Sequence, residues 1–427
     1  MNILVIGAGG REHAIAWKIK QSELCDELFV SPGNGGTDQI ATNLPYGVND
    51  FEGIKSAVRE HNIELLVVGP EEPLVKGLVD DIKGDEAFSD LLIVGASQEG
   101  AQLEGSKDYA KQFMNRHGIP TAKAKVFNKS NLEAGKQFLD SLDAPYVLKA
   151  DGLAAGKGVI ITEDLSEAKA SLEELIGGKF GDASANVLIE EFLSGIELSV
   201  FALTDGESYV LLPEAKDYKR IGEGDTGLNT GGMGAISPVG FADNIFMEKV
   251  VDRVVKPTVE GIKKDGLDYK GFVFFGLISV KNEPFVIEYN VRMGDPETEV
   301  VMPRIKSDIV PVLIAAAKGE LNKATIEFEN FTASTVVMVS GGYPEAYEKG
   351  HEISVADDIS GVLPFHAGTK KENGKLLSNG GRVIAVSALG KNMQEALNKS
   401  YAGVEKIQWK DANYRSDIGF DLKALGQ

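Results

Sequence analysis

Disulfides are excluded at once, because the 427 residues contain a single cysteine, Cys25. A lone cysteine suits a reducing compartment. Flanked by Leu24, Asp26 and Glu27, it also makes a poor nucleophile, since neighbouring carboxylates disfavour the thiolate. No segment approaches the roughly 18 consecutive apolar residues that a membrane helix needs. The opening MNILVIGAGG runs straight into a strand with no basic leader or cleavage site, so a cytoplasmic protein is expected. Basic side chains are outnumbered, 44 against 64 acidic, for a net charge of -20. Such a chain is repelled by nucleic-acid backbones and anionic membranes, which argues against both as partners. It can still hold an anionic metabolite where Lys, Arg and backbone N–H groups cluster. Internal repeats and low-complexity tracts are missing as well.

What remains is a chain long enough for about three compact units. The fold class is α/β. Residues 1–100 alternate short apolar runs (Ile3–Ile6, Leu28–Val30, Leu65–Val68, Leu91–Val94) with helical stretches such as Arg11–Lys20. Runs of this kind, followed by Gly, Pro or Ser, fit buried parallel strands in a doubly wound, Rossmann-like domain. Gly118-Ile119-Pro120-Thr121 reads as a break after a helix around Ser106–Arg116. Beyond it Tyr146–Lys149, Gly158–Thr162 and Val187–Glu191 suggest a small α/β unit. Long strands follow at Phe201–Leu203, Phe272–Val280 and Phe285–Tyr289, the last two joined through Lys281-Asn282-Glu283-Pro284. A final unit carries Thr335–Val339, Arg382–Val386 and a helix near Met393–Tyr401.

Five stretches carry chemistry. Gly7-Ala8-Gly9-Gly10-Arg11-Glu12-His13 follows the first strand and offers backbone amides to a phosphate. A dinucleotide fingerprint needs glycine where Glu12 stands and an acid where the second strand ends in Ser31-Pro32, so a nicotinamide cofactor is not expected. Asp151 through Gly158 is glycine-rich and entered from a strand carrying Lys149, but its spacing is not that of a P-loop. It fits a flap over a triphosphate and equally a hairpin with solvated lysines. Glu190-Glu191-Phe192-Leu193, with Glu197 beyond, suits a hinge whose backbone bonds adenine while Glu197 reaches the ribose; solvated surface acids are the plain alternative. In Glu288-Tyr289-Asn290-Val291-Arg292 the period of a strand puts Glu288, Asn290 and Arg292 on one face. Two hard oxygens at that spacing suit Mg²⁺ shared with nucleotide phosphates, and Arg292 suits a phosphoryl group or carboxylate. Finally, Asp217-Tyr218-Lys219-Arg220 and Asn229 through Gly234 can cradle a second anion or form a surface loop.

In order, the lysine strand, glycine flap, acidic hinge and Glu-x-Asn strand resemble the ATP-grasp ligases. Within that superfamily the chain resembles the phosphoribosylamine–glycine ligases over its full length. GAGGREHA (7–14), GPEEPL (69–74), QLEGSKDYAK (102–111), KADGLAAGKGV (149–159), NTGGMGAISP (229–238), EYNVRMGDPETE (288–299), PFHAGT (364–369) and SNGGRV (378–383) carry it. The resemblance implies a Rossmann-like domain at 1–104, an ATP-grasp domain at 105–326 with a small flap lobe near 121–192, and a small α+β domain at 327–427. It implies catalytic roles for Arg292 and Lys149, and nucleotide contacts from Lys107, Lys149, Gly156, Lys157, Gly158, Glu190, Leu193 and Glu197. Metal ligation falls to Glu288 and Asn290. Substrate contacts fall to Gly9, Gly10, Asp217, Lys219, Gly231, Gly232, Asp295 and Glu297, with the Pro70-Glu71 turn assisting. ATP is the implied co-substrate and Mg²⁺ or Mn²⁺ the metal. Partners are small molecules, namely ATP, glycine and phosphoribosylamine, and a monomer is expected. The implied reaction makes glycyl phosphate from ATP and glycine, then transfers the glycyl group to the amine of phosphoribosylamine. The chain departs from many ATP-grasp enzymes at Gly276, where a second metal-binding acid is common.

Overall fold

A computed structural model describes residues 1–153, 158–356 and 358–425. Its N-terminal part is the expected parallel sheet, ordered Thr42–Asn43, Glu27–Pro32, Asn2–Gly7, Ile63–Val68, Leu92–Ala96. The alternation of a strand divides the first run between two cores. Ile3 and Val5 pack with Ile15 and Ile19 of the helix Gly10–Ile19. Leu4 and Ile6 face the other way, toward Ile54, Val58, Leu74 and Leu78. A sheet apolar on both faces needs helices on both, and this one has them.

The sheet does not stop at the end of that domain. Tyr269–Val280 joins it antiparallel, pairing Tyr269 with Ala96 and Lys270 with Gly95. From there the ladder continues through Ile196–Thr204, Tyr209–Asp217, Gly234–Ser237, Thr332–Val339 and Arg382–Gly390 to Leu363–His366. Glu283–Asn290 pairs with Tyr269–Val280 off this path, completing a 13-stranded sheet. The three units anticipated from the sequence therefore share one hydrogen-bonded ladder. The hairpin before Glu288 is also tighter than expected. Lys281 and Asn282 both have positive φ, 51° and 63°, which makes a two-residue turn and lets the strand begin at Glu283.

Two features were not anticipated. Tyr209–Asp217 is a strand whose charged end, Glu214 to Asp217, hides its β pattern. The glycine-rich stretch after it is an ordered ribbon, Arg220–Gly222 against Thr226–Asn229, followed by the fully buried strand Gly234–Ser237.

The small lobe has its own sheet, Ala124–Asn128, Asn186–Glu190, Tyr146–Ala150 and Val159–Thr162 in that order. Helices Leu132–Asp140 and Leu165–Ile176 cover it, around Phe127, Leu139, Leu148, Leu172, Val187 and Ile189. The first and last domains are sewn together by hydrogen bonds. Asn34 Nδ2 donates to the carbonyls of Ala8 (2.9 Å) and His366 (2.7 Å), and the His366 amide donates to His13 Nδ1 at 2.8 Å. A Cβ at Gly35 would lie 2.6 Å from Leu376 Cδ1 and 3.0 Å from Thr369 Oγ1, so the two domains approach closely here and a larger residue would make Leu376 shift.

Candidate active site

Three elements converge where the small lobe meets the main sheet. Lys149 leaves the strand Tyr146–Ala150 and pairs with Glu190 at 2.8 Å; Lys111, from the helix Lys107–Arg116, reaches the same carboxylate at 3.3 Å. All three side chains are buried. Burial alone would discharge Lys149, but the charge and hydrogen bond of Glu190 hold its pKa above the usual value. Lys107 lies at the start of its helix, with Nζ 3.3 Å from the carbonyls of Asp151 and Gly152. Burial lowers its pKa against the opposing pull of Glu288. The Glu190 side chain is thus occupied by the two lysines. Gly158 is buried, and its carbonyl accepts from the Ala150 amide at 2.8 Å. Gly156 and Lys157 lie outside the described residues.

Glu288 and Asn290 stand on the last strand of this corner, as their spacing predicts. Among the described residues the Glu288 carboxylate has no hydrogen-bond partner, and its charge is felt at both Lys107 and Lys149. Gly276 is its neighbour across the ladder, where a Cβ would come within 3.0 Å of Glu288 Cγ. Glycine there leaves Glu288 its room. No group of three or more His, Cys, Asp or Glu side chains among the described residues could hold a metal. Glu288 with the Asn290 amide oxygen nevertheless forms a pair of hard donors of the type divalent Mg or Mn prefers. Past the strand, Arg292 is clasped by two carboxylates of the first domain, Glu104 at 2.8 Å and Glu71 at 3.2 Å. Burial would raise Glu71, but Arg292 and Arg11 hold it down to about 2.

The proposed substrate residues form a second cluster beside the first. Lys219 Nζ lies 2.6 Å from Asp217 and 3.4 Å from Glu197, linking Glu197 to this group. Leu193 is half-buried on the same hinge. Glu297 is buried, accepts from Ser199 at 2.9 Å, and is pushed up to about 7 by burial and by Asp217, against the pull of Lys219. Asp295 pairs with Arg382 at 3.0 Å, and Arg382 also donates to the Gly231 carbonyl at 2.7 Å. The Gly231 amide meets Tyr343 Oη at 3.0 Å, and Gly232, at φ 119°, lies against Pro296 where a Cβ would be 2.4 Å from Cδ. Gly10 closes on Glu299, whose Oε1 would be 2.3 Å from any Cβ there. The Gly9 amide is already engaged by Glu12 Oε2 at 2.7 Å, and the Glu12 side chain packs against Gly7 and Gly69. Arg220, by contrast, points away and donates to the Gly227 carbonyl.

Sequence reading missed Glu104, Lys111, Glu299 and Arg382. Glu104 and Lys111 lie within QLEGSKDYAK, Glu299 within EYNVRMGDPETE and Arg382 within SNGGRV, so the motifs held the signal although nothing local assigned a role.

A buried lysine pair, a small lobe with its own sheet, and an acid–amide pair on a strand of the main sheet fit a ligase of the ATP-grasp class. Models of the phosphoribosylglycinamide synthetase N domain, ATP-grasp (A) domain and C domain match residues 1–104, 105–298 and 333–421. The chain is 45% identical to a phosphoribosylamine–glycine ligase of Chlorobaculum tepidum, covering 100% of both. The crystal structure of phosphoribosylamine–glycine ligase from Thermotoga maritima superposes with a TM-score of 0.85 at 36% identity, covering 98% of this chain and 100% of that one. The biotin carboxylase domain of 2-oxoglutarate carboxylase from Hydrogenobacter thermophilus shares the fold alone, with a TM-score of 0.72 and 16% identity over 100% of this chain and 94% of that one. The chain belongs to the phosphoribosylglycinamide synthetase family.

Proposed function

We propose that the chain joins glycine to 5-phosphoribosylamine at the expense of ATP, giving glycinamide ribonucleotide, ADP and phosphate in purine synthesis. The reading rests above all on Glu288, a carboxylate without a hydrogen-bond partner among the described residues, whose charge acts on Lys107 and Lys149. Lys107 and Lys149 bind phosphate oxygens of ATP, with Gly156, Lys157 and Gly158 closing over them. Glu190 and Leu193 offer main-chain groups to adenine, and Glu197 takes the ribose. Glu288 and Asn290 are the protein's ligands for Mg²⁺ or Mn²⁺, which when bound spreads the charge of the phosphates. Two protein oxygens leave most of the shell to phosphates and water, the usual habit of Mg²⁺.

Arg292 faces the reacting end of the nucleotide. A glycine carboxylate oxygen attacks the γ-phosphorus and ADP leaves, giving an acyl phosphate; Arg292 and Lys149 stabilise the charge on the transferring group. The amine of phosphoribosylamine then attacks the acyl carbon, phosphate departs, and the amine loses a proton. Gly9, Gly10, Asp217, Lys219, Gly231, Gly232, Asp295 and Glu297 grip the two substrates. Acyl phosphates hydrolyse readily, so the small lobe and the Arg382 contact serve to keep water out. The domain limits 1–104, 105–326 and 327–427, a monomeric state and a cytoplasmic location complete the proposal.

Phosphate release from ATP, with each substrate omitted in turn, tests it. Release should require both glycine and phosphoribosylamine. Release that ignores glycine, or runs equally well on bicarbonate or formate, would assign the chain to a carboxylating or formate-transferring relative instead.

A further inference from the structure

Glu104 lies in the four-residue helix Gln102–Gly105 and is almost wholly buried, with a side chain 5% exposed. Its carboxylate meets three consecutive residues, the last of the strand Glu283–Asn290 and the two that follow it. Oε1 accepts from Asn290 Nδ2 at 3.0 Å and from Arg292 Nη2 at 2.8 Å, while Oε2 accepts from the Val291 amide at 2.8 Å. A carboxylate can only accept, so the Asn290 amide must present its nitrogen to Glu104. The two ends of an amide are chemically opposite, and anchoring Nδ2 on one side turns Oδ1 to the other. An unanchored asparagine would have to give up its rotational freedom, and any opposite hydrogen bond, to turn its oxygen to a cation.

We propose that Glu104 is a positioning residue that sets the orientation of the Asn290 amide, so that Oδ1 faces the metal, and braces Arg292 beside it. The inference rests on the reading of Glu288 and Asn290 as metal ligands. A plain structural ion pair would also bind Arg292, but it would not need the contact to Nδ2. Glu71 supplies the comparison, since it bonds Arg292 at 3.2 Å and has no hydrogen bond to Asn290.

Mn²⁺ titration followed by electron paramagnetic resonance, with ADP present and nucleotide alone subtracted, reads the effect without turnover. Glu104→Gln replaces an oxygen by a donor and lets the Asn290 amide turn over. Mn²⁺ affinity should fall roughly 10- to 100-fold, the usual cost of losing a residue that orients a ligand. Glu71→Gln should leave Mn²⁺ affinity near that of the unaltered enzyme. Asn290→Asp alone should also bind Mn²⁺ poorly, because it sets two carboxylates face to face. The double variant Glu104→Gln/Asn290→Asp restores a donor opposite an acceptor and should recover most of the affinity. Equal losses in Glu104→Gln and Glu71→Gln, no loss in Glu104→Gln, or a double variant no better than either single one would overturn the proposal. Unfolding of both Glu104 variants would overturn it too, by making the role structural. Glu288→Ala separates the two readings: if it binds Mn²⁺ normally, the metal assignment fails whatever Glu104 does.

Discussion

Arg382 meets Asp295 at 3.0 Å across the boundary between the last domain and the turn that follows the Glu288–Arg292 stretch. The same guanidinium holds the carbonyls of Gly231 and Asp295 at 2.7 and 2.8 Å. One side chain of the C-terminal domain therefore fixes two segments proposed to grip the substrates. Arg382→Ala should lower kcat/KM for glycine and phosphoribosylamine on the order of 100-fold through misplacement of these segments. ATP affinity should be preserved. Steady-state kinetics with each substrate varied, beside ADP binding by calorimetry, checks both halves of the expectation.

Removing the Glu288 carboxylate should silence the enzyme without disturbing the fold, since no described residue depends on it for a hydrogen bond. Glu288→Ala is expected to lose turnover while keeping the circular dichroism spectrum and the unfolding midpoint of the parent. Near-normal turnover would show the metal to be misplaced.

The opposite behaviour is expected of Glu190. It neutralises Lys149 and Lys111, both buried, and breaking a buried pair by removing one partner costs about 3 to 5 kcal/mol. Glu190→Gln should destabilise the small lobe by that order. Limited proteolysis should cut it before the main sheet, and ATP binding should weaken in parallel. A lobe as resistant as the parent's would mean the lysines find other partners.

Acid should loosen the seam between the first and last domains. Burial holds His13 down to about 3, with the charge of His366 adding to it, and burial holds His366 down to about 4, with Lys371 adding to it. Unfolded histidines take a proton near 6.5, so between 6.5 and about 4 the unfolded chain binds more protons than the folded one. Stability is complete above 6.5 and falls as the pH drops through that window, by up to about 1.4 kcal/mol per pH unit for each histidine. Gln at position 13 can still accept from the His366 amide without titrating. The slope of unfolding midpoint against pH should therefore be shallower in His13→Gln; identical slopes would show that the seam does not sense protons.

The residues that could be read from the sequence are those whose meaning is local. Glu288 and Asn290 were legible because a strand repeats every two residues, and the strand Glu283–Asn290 carries both; Arg292, read as continuing that face, lies two residues past its end. Glu12 was legible as an obstacle to a dinucleotide, and it fills the turn. Lys149 and Glu190 were both picked out, yet their pairing depends on the order of strands in the small sheet, which no spacing reveals. Glu190 was accordingly assigned to the nucleotide rather than to the lysines. Arg382 and Glu104 were silent for the same reason. Arg382 acts on a residue 87 positions away, and Glu104 on residues 186 to 188 positions away. The ribbon at 220–229 was hidden by its glycines, which suit a tight hairpin as well as a loose loop.

The unbroken ladder from Thr42 to His366 has a practical cost for anyone who would divide the chain. A fragment of residues 1–104 would carry Leu92–Ala96 as a bare margin, its amides no longer answered by Tyr269–Val280. A fragment beginning near 327 would leave Thr332–Val339 open where Gly234–Ser237 had lain. Unanswered margins of this kind recruit other chains. Such pieces should precipitate or associate when produced singly, and stay in solution when the halves are supplied together.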